Sequence, residues 1–215
     1  MAKGSATPAN VRPATREKRE LILKAAVEIF GNKGSTNGTL ADVAEQVGIT
    51  HAGVLHHFGS KQNLLLEVLA YRDQADVAEL AEKRIPRGPE LFLHLVRTAI
   101  SNELRPGIVQ AYTVLSSESV TDNHPGREYF EERYTTLRRE VTEAFQLLCA
   151  QEGVDEPDTI ATGAASILAV MDGLQLQWLL HRDVVDLGEA SEFAIRAIVN
   201  GVLHPGPALE SYVRE

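Results

Sequence analysis

The chain has 215 residues, 44% hydrophobic and 24% charged, with a formal net charge of −9. This balance excludes wholesale disorder and a collagen-like repeat, and the single cysteine, Cys149, excludes an internal disulfide or a cysteine-built metal cage. The longest apolar stretch, residues 160–171, stops at Asp172 and falls short of the length a membrane span needs.

The first residues, MAKGSATPANVRPATR, hold no apolar core of the secretory kind. We therefore expect a reduced, cytoplasmic, soluble protein. Residues 1–14 are small, polar and proline-containing, and read as a disordered arm. Leu21, Ile22, Ala25, Ala26, Ile29 and Phe30 then fall on one helical stripe, with Gly31 and Gly34 expected to end it. Thr39 is placed to cap a short helix over 40–47. Gly48-Ile49 breaks that helix, and Thr50 can cap a second one over 51–58. Ser60 caps a long helix expected from Lys61 to about Lys83.

Further helices are predicted near 90–104, 108–120, 127–151, 157–181 and 189–203. They are separated by Pro86–Pro89, Arg105-Pro106-Gly107, Asn123-His124-Pro125-Gly126 and Leu187-Gly188. Pro157 suits the first helical position. No alternating strand pattern occurs, so the fold class is all-α with about nine helices.

Residues 39–58, TLADVAEQVGITHAGVLHHF, carry the chemistry. Two short helices flank a turn at Gly48, and small Ala44 lets them cross closely. Val43, Val47, Ile49, Val54 and Phe58 are spaced to share a small core with residues 21–30. This is the helix-turn-helix plan, whose second helix lies in the DNA major groove. Thr50, His51, Ala52 and Gly53 stand at that helix's N-terminal end, which favours phosphate and allows close approach to base edges. His56, His57, Lys61 and Thr39 are candidate phosphate contacts, and Arg12 and Arg16 extend the footprint.

Charge supports this end of the chain. Residues 1–61 hold eight Lys or Arg against five acids, whereas the remaining 154 hold 13 against 25. A cationic head on an acidic body suits a polyanion partner. His51, His56 and His57 have no carboxylate at ligand spacing, so neither metal nor cofactor is expected. The run Glu118-x-x-x-Asp122-x-His124 sits by a turn without any nucleophile or phosphate-loop motif, so an enzyme is not expected.

From Arg16 to Leu66 the chain resembles the DNA-binding end of the TetR family of bacterial transcriptional regulators. The resemblance rests on Ile22-Leu23-x-Ala25-Ala26…Phe30, Gly34, Thr39-Leu40-x-x-Val43-Ala44…Val47-Gly48-Ile49-Thr50, Val54-Leu55-x-x-Phe58, Ser60-Lys61 and Leu64-Leu65. His56 stands where the family often has tyrosine, and Ala52 where it often has glycine. The resemblance implies a helix-turn-helix domain over 15–60 and a helical ligand-binding and dimerisation domain over 61–215. It further implies a homodimer joined through the last two long helices, whose Gly163, Ala164, Ala165, Ala169, Ala190, Ala194, Ala197 and Gly201 permit close approach. The partners implied are a double-stranded DNA operator of inverted-repeat form and a small organic effector that releases a repressor. For the effector, the polar residues beside apolar faces are His94, Arg97, Tyr112, Tyr134, Asp172 and Gln175. The competing reading is a helical ligand-binding or scaffold protein whose helix-turn-helix is only structural.

Overall fold

The structure, a computed structural model, describes residues 13–78 and 84–206. Among them run α1 (Pro13–Asn37), α2 (Leu40–Val47), α3 (His51–Phe58), α4 (Lys61–Val77), α5 (Glu90–Glu103), α6 (Pro106–Glu118), α7 (Arg127–Glu152), α8 (Pro157–Leu180) and α9 (Leu187–Leu203), with no strand. Residues 1–12, including Arg12, and the expected end of the fourth helix at Lys83 lie outside the described residues.

Three expected helix boundaries are corrected. Pro13 and Ala14 belong to α1 rather than to the arm. The helix also passes through Gly31; the expected break comes at Gly34, which leaves helical geometry at φ 72 and ψ 175, and α1 continues beyond this kink to Asn37. At Gly31 a Cβ would stand 3.2 Å from the backbone nitrogen of Ala111, so this glycine marks a close helix approach and not a helix end. Finally, Leu187 and Gly188 lie inside α9, whose cap is Asp186, accepting from the Glu189 amide at 2.7 Å.

Two cores form. In the first, Ile22, Ala26 and Phe30 of α1 meet Val43 of α2, Val54 and Phe58 of α3, and Leu64 and Leu65 of α4. Each of these side chains larger than alanine contributes on the order of 1.5–3 kcal/mol. Val47 and Ile49 are only half-buried, and Leu21 stays 53% exposed despite its place on the expected stripe. This core extends to Ala111 and Leu115 of α6 and Phe130 of α7. The second core joins α5, α7, α8 and α9, with Phe92 and Phe145 rings 4.8 Å apart at its centre. Tyr134 packs against both cores.

By length and composition α8 is apolar enough to cross a membrane, which corrects the expectation that no segment reaches that length. Here Ile160, Ala164 and Ile167 of α8 are buried in the second core. The head sits on α6 through a polar seam. Glu118 Oε2 accepts from the Ser35 amide at 2.7 Å, and Gly31 O accepts from Gln110 Nε2 at 3.2 Å. His124 Nδ1 accepts from the Gly126 amide at 3.1 Å, so its Nε2 carries the proton facing Ser35 Oγ at 2.7 Å.

Candidate nucleic-acid interface and buried cavity

The head is held by local caps. Thr39 Oγ1 accepts from the Asp42 amide at 3.1 Å, while Asp42 Oδ2 accepts from the Thr39 amide at 2.8 Å, a reciprocal capping box. Lys33 pairs with Asp42 at 2.7 Å, and this ion pair, with the Thr39 bonds, pulls the carboxyl down to about 2. Gly48 closes α2 in the left-handed region, at φ 69 and ψ 41, where a Cβ is disfavoured. Thr50 Oγ1 accepts from the Gly53 amide at 3.1 Å and starts α3. Ser60 starts α4 by accepting from the Asn63 amide at 3.0 Å.

These caps set the expected contact residues in place. Thr50, His51 and Ala52 are exposed and Gly53 is half-buried. The first-turn amides of α3 point out of the helix end, as helix geometry requires. His56 is exposed and His57 half-buried, their rings 5.6 Å apart. Burial, then His56, Arg19 and Lys18, lowers the His57 imidazole below its ordinary 6.5, so at pH 7 it is a neutral N–H donor. Lys61 Nζ reaches Thr36 O at 3.3 Å, which ties the start of α4 to the end of α1. Arg16 is exposed on α1. Thr39 is exposed too, but its hydroxyl and amide both donate to Asp42, so its donors are already engaged.

Sequence reading missed Arg19. Its guanidinium covers the Phe58 ring at 4.3 Å and pairs with Glu67 at 2.7 Å, fixing α3 between α1 and α4.

A cavity of about 50 Å³ lies between α4, α5, α6, α7 and α8. Five of the six expected ligand residues line it: His94, Tyr112, Tyr134, Asp172 and Gln175. Arg97 does not; it is exposed on α5, so its place in the expected set is corrected. Tyr134 Oη donates to Asp172 Oδ2 at 2.5 Å. Burial chiefly raises the Asp172 carboxyl above its ordinary 3.8, opposed by Tyr134, Arg72 and Arg133. Burial also keeps His94 neutral by lowering it, against the pull of Asp76.

The lining residues Arg72, Asp76 and Arg133 were not foreseen. Arg72 stacks on Tyr112 at 3.9 Å, and Arg133 Nε donates to Tyr112 Oη at 3.2 Å. Arg133 also pairs with Asp73, and Arg105 pairs with Asp76.

The description "Bacterial regulatory proteins, tetR family" matches residues 22–68, and "BetI-type transcriptional repressor, C-terminal" matches residues 90–203. The HTH-type transcriptional regulator BetI of Agrobacterium fabrum is 30% identical over 178 residues, covering 80% of this chain and 82% of BetI.

The chain belongs to the TetR family.

Solved structures agree on the fold. The SmeT–triclosan complex aligns with a TM-score of 0.70 at 16% identity, covering 88% of this chain and 93% of SmeT. A protein from Saccharomonospora viridis in complex with choline aligns with a TM-score of 0.61 at 22% identity, covering 88% and 97%. The TetR-family regulator is thus a DNA-binding transcriptional regulator and not an enzyme. The reading of its helix-turn-helix as purely structural falls with that membership.

Asp172 offers a direct check of the cavity's electrostatics. Its carboxyl is raised in the fold, so the folded chain holds a proton that the unfolded chain releases, and stability falls as pH rises above 3.8. Asp172→Asn keeps an oxygen for Tyr134 and removes the charge. We expect a gain of about 1 kcal/mol in unfolding free energy at pH 7, shrinking to nothing below pH 3.8. Denaturant unfolding across pH measures it; a loss at pH 7 would contradict the account.

Proposed function

We propose that this TetR-family regulator is a homodimeric cytoplasmic repressor that leaves an inverted-repeat operator when a small organic effector enters the cavity. The observation that carries the reading is the exposed N-terminal end of α3. Thr50, His51 and Ala52 face solvent there beside His56 and the start of α4. Such an end fits the major groove, with base edges near His51–Gly53 and phosphates near His56, His57, Lys61 and Arg16.

The dimer is assigned to α8 and α9, which expose Leu176, Leu180 and Phe193 at 49%, 67% and 65%. Ala165, Ala169, Ala197 and Gly201 are exposed on the same two helices. Gly163 and Ala164 are buried within the chain, where a Cβ on Gly163 would stand 2.5 Å from Val202 Cγ2. Two helices from each copy form a closed isologous interface that would set two recognition helices about 34–36 Å apart.

Two helices connect cavity and head. Lys61 at the head end of α4 and Arg72 at the cavity lie about 16 Å apart along that axis. On α6, Tyr112 lines the cavity while Gln110 and Glu118 hold α1. An effector that prefers the arrangement unable to span two half-sites lowers operator affinity by its differential affinity for the two states. SmeT and the S. viridis protein, solved with triclosan and choline, support a small-molecule site in this fold.

The test is fluorescence anisotropy of the full chain on duplexes from its own upstream DNA, over a salt series. Specific binding should fall log-linearly with salt. Lys61→Ala should weaken specific and random duplexes alike and reduce the salt slope by about one. Salt-independent binding, or no preference for any upstream duplex, would overturn the reading.

A further inference from the structure

Two buried polar atoms in the cavity have no hydrogen-bond partner: Arg72 Nη1 and Gln175 Oε1. Arg72 is 7% exposed and Gln175 4%. The carboxylate oxygens nearest Arg72 Nη1 stand at 3.4 Å on Asp76 and 3.9 Å on Asp73, and make ion pairs without hydrogen-bonding geometry. Both acids are already engaged, Asp76 by Arg105 and Asp73 by Arg133 and Tyr129. A buried charged donor left unmade costs more than a neutral one.

We infer that the cavity takes an organic anion, a small carboxylic acid, with its carboxylate on Arg72 and a hydroxyl or amide donor against Gln175 Oε1.

Charge supports the sign of the ligand. The ion-paired cluster holds three guanidiniums, of Arg72, Arg105 and Arg133, against two carboxylates, of Asp73 and Asp76. Asp172, the remaining acid of the cavity, takes the Tyr134 hydroxyl, and burial favours its neutral form. A carboxylate completes the pairing, and guanidinium binds it with a planar fork.

A quaternary ammonium needs open aromatic faces. The Tyr112 face carries Arg72 at 3.9 Å and Arg133 at 5.4 Å, so a cationic headgroup would meet cations there. By this argument the chain differs from the choline-bound S. viridis protein. The cavity, about 50 Å³ and partly open to solvent, is of headgroup size. Tyr134 also lines an open groove of about 570 Å³ between α6 and α7.

The inference rests on the proposed effector site, so its test separates ligand class from operator release. Calorimetry and thermal shift on the full chain at pH 7 would use mandelate, 3-hydroxybutyrate and 3-hydroxydecanoate, each beside its primary amide, with choline as the cation. At least one acid should bind saturably and roughly tenfold or more tighter than its amide. Arg72→Lys should erase most of that ratio. Gln175→Met, which keeps side-chain length, should weaken the hydroxy acid but leave its deoxy analogue unchanged. The inference is overturned if no acid binds, if amides match their acids, or if choline binds tighter.

Operator anisotropy is read separately. Acids that bind without loosening the operator uphold the ligand class and defeat the release mechanism. Choline that binds tighter and loosens it does the reverse.

Discussion

Replacing Gly34 by alanine lowers the unfolding free energy by about 3 kcal/mol and the melting temperature by roughly 6–12 °C. Gly34 sits at φ 72 and ψ 175, a region that side-chain-bearing residues adopt only at a cost of order 1–3 kcal/mol. An added Cβ would also stand 2.1 Å from Glu118 Oε1. The carboxylate can swing aside, but doing so gives up its 2.7 Å bond from the Ser35 amide. Denaturant unfolding of Gly34→Ala, Glu118→Ala and the double variant separates the two causes. The backbone argument requires Gly34→Ala to remain costly when Glu118 is already gone. Full rescue in the double variant would show that the collision was the whole effect.

The same seam explains how a change in the body can reach the head without touching α3. Glu118 and His124 bracket the α6–α7 turn, and both hold Ser35, only two residues from the end of α1. Tyr112, two turns back on α6, carries the stacked Arg72. A ligand that draws Arg72 off Tyr112 therefore acts on the helix that seats α1, while α4 moves with Arg72 itself. The long α4 read from the sequence is thus one of two connections, and α6 is the other.

Local chemistry was legible and tertiary chemistry was not. The caps at Thr39, Thr50 and Ser60 and the left-handed turn at Gly48 follow from residues within four positions of one another, so the head could be read directly. Gly31 looks like a helix stop for the same local reasons, yet its role is set by the Ala111 backbone, eighty positions away. The cavity shows the same split. Polar residues on the apolar α8, Asp172 and Gln175, announce burial because a lone polar group in that setting needs a partner. Arg72, Asp76 and Arg133 do not, because charged residues on amphipathic helices read as a solvated face. Arg72 is buried, and Asp76 and Arg133 half-buried, because residues of three distant segments pair their charges there. Arg97 failed in the opposite direction: it lies one turn from buried His94, but the helix turns it out to solvent.

Gly53→Ala separates reading DNA from folding, because its two effects have opposite signs. Gly53 is helical, and an added Cβ would stand no closer than 3.5 Å to its nearest neighbours, Thr50 Oγ1 at 3.5 Å and Ile49 Cδ1 at 3.6 Å, ordinary contacts. Alanine in place of a helical glycine gains about 0.5–1 kcal/mol, so the variant should melt a few degrees higher. Its operator affinity should nevertheless fall by about tenfold or more, near 1.4 kcal/mol. The new methyl lies in the first turn of α3, where backbone and base edges meet if this helix enters the major groove. Random duplex should bind within about twofold of the parent, since non-specific affinity comes from phosphate contacts the substitution leaves alone. Anisotropy on operator and random duplexes, with a melt on the same samples, measures all three quantities. A variant that is more stable and binds operator as before would show that α3 does not approach the bases at this point. Equal loss on both duplexes would move Gly53 to the phosphate backbone.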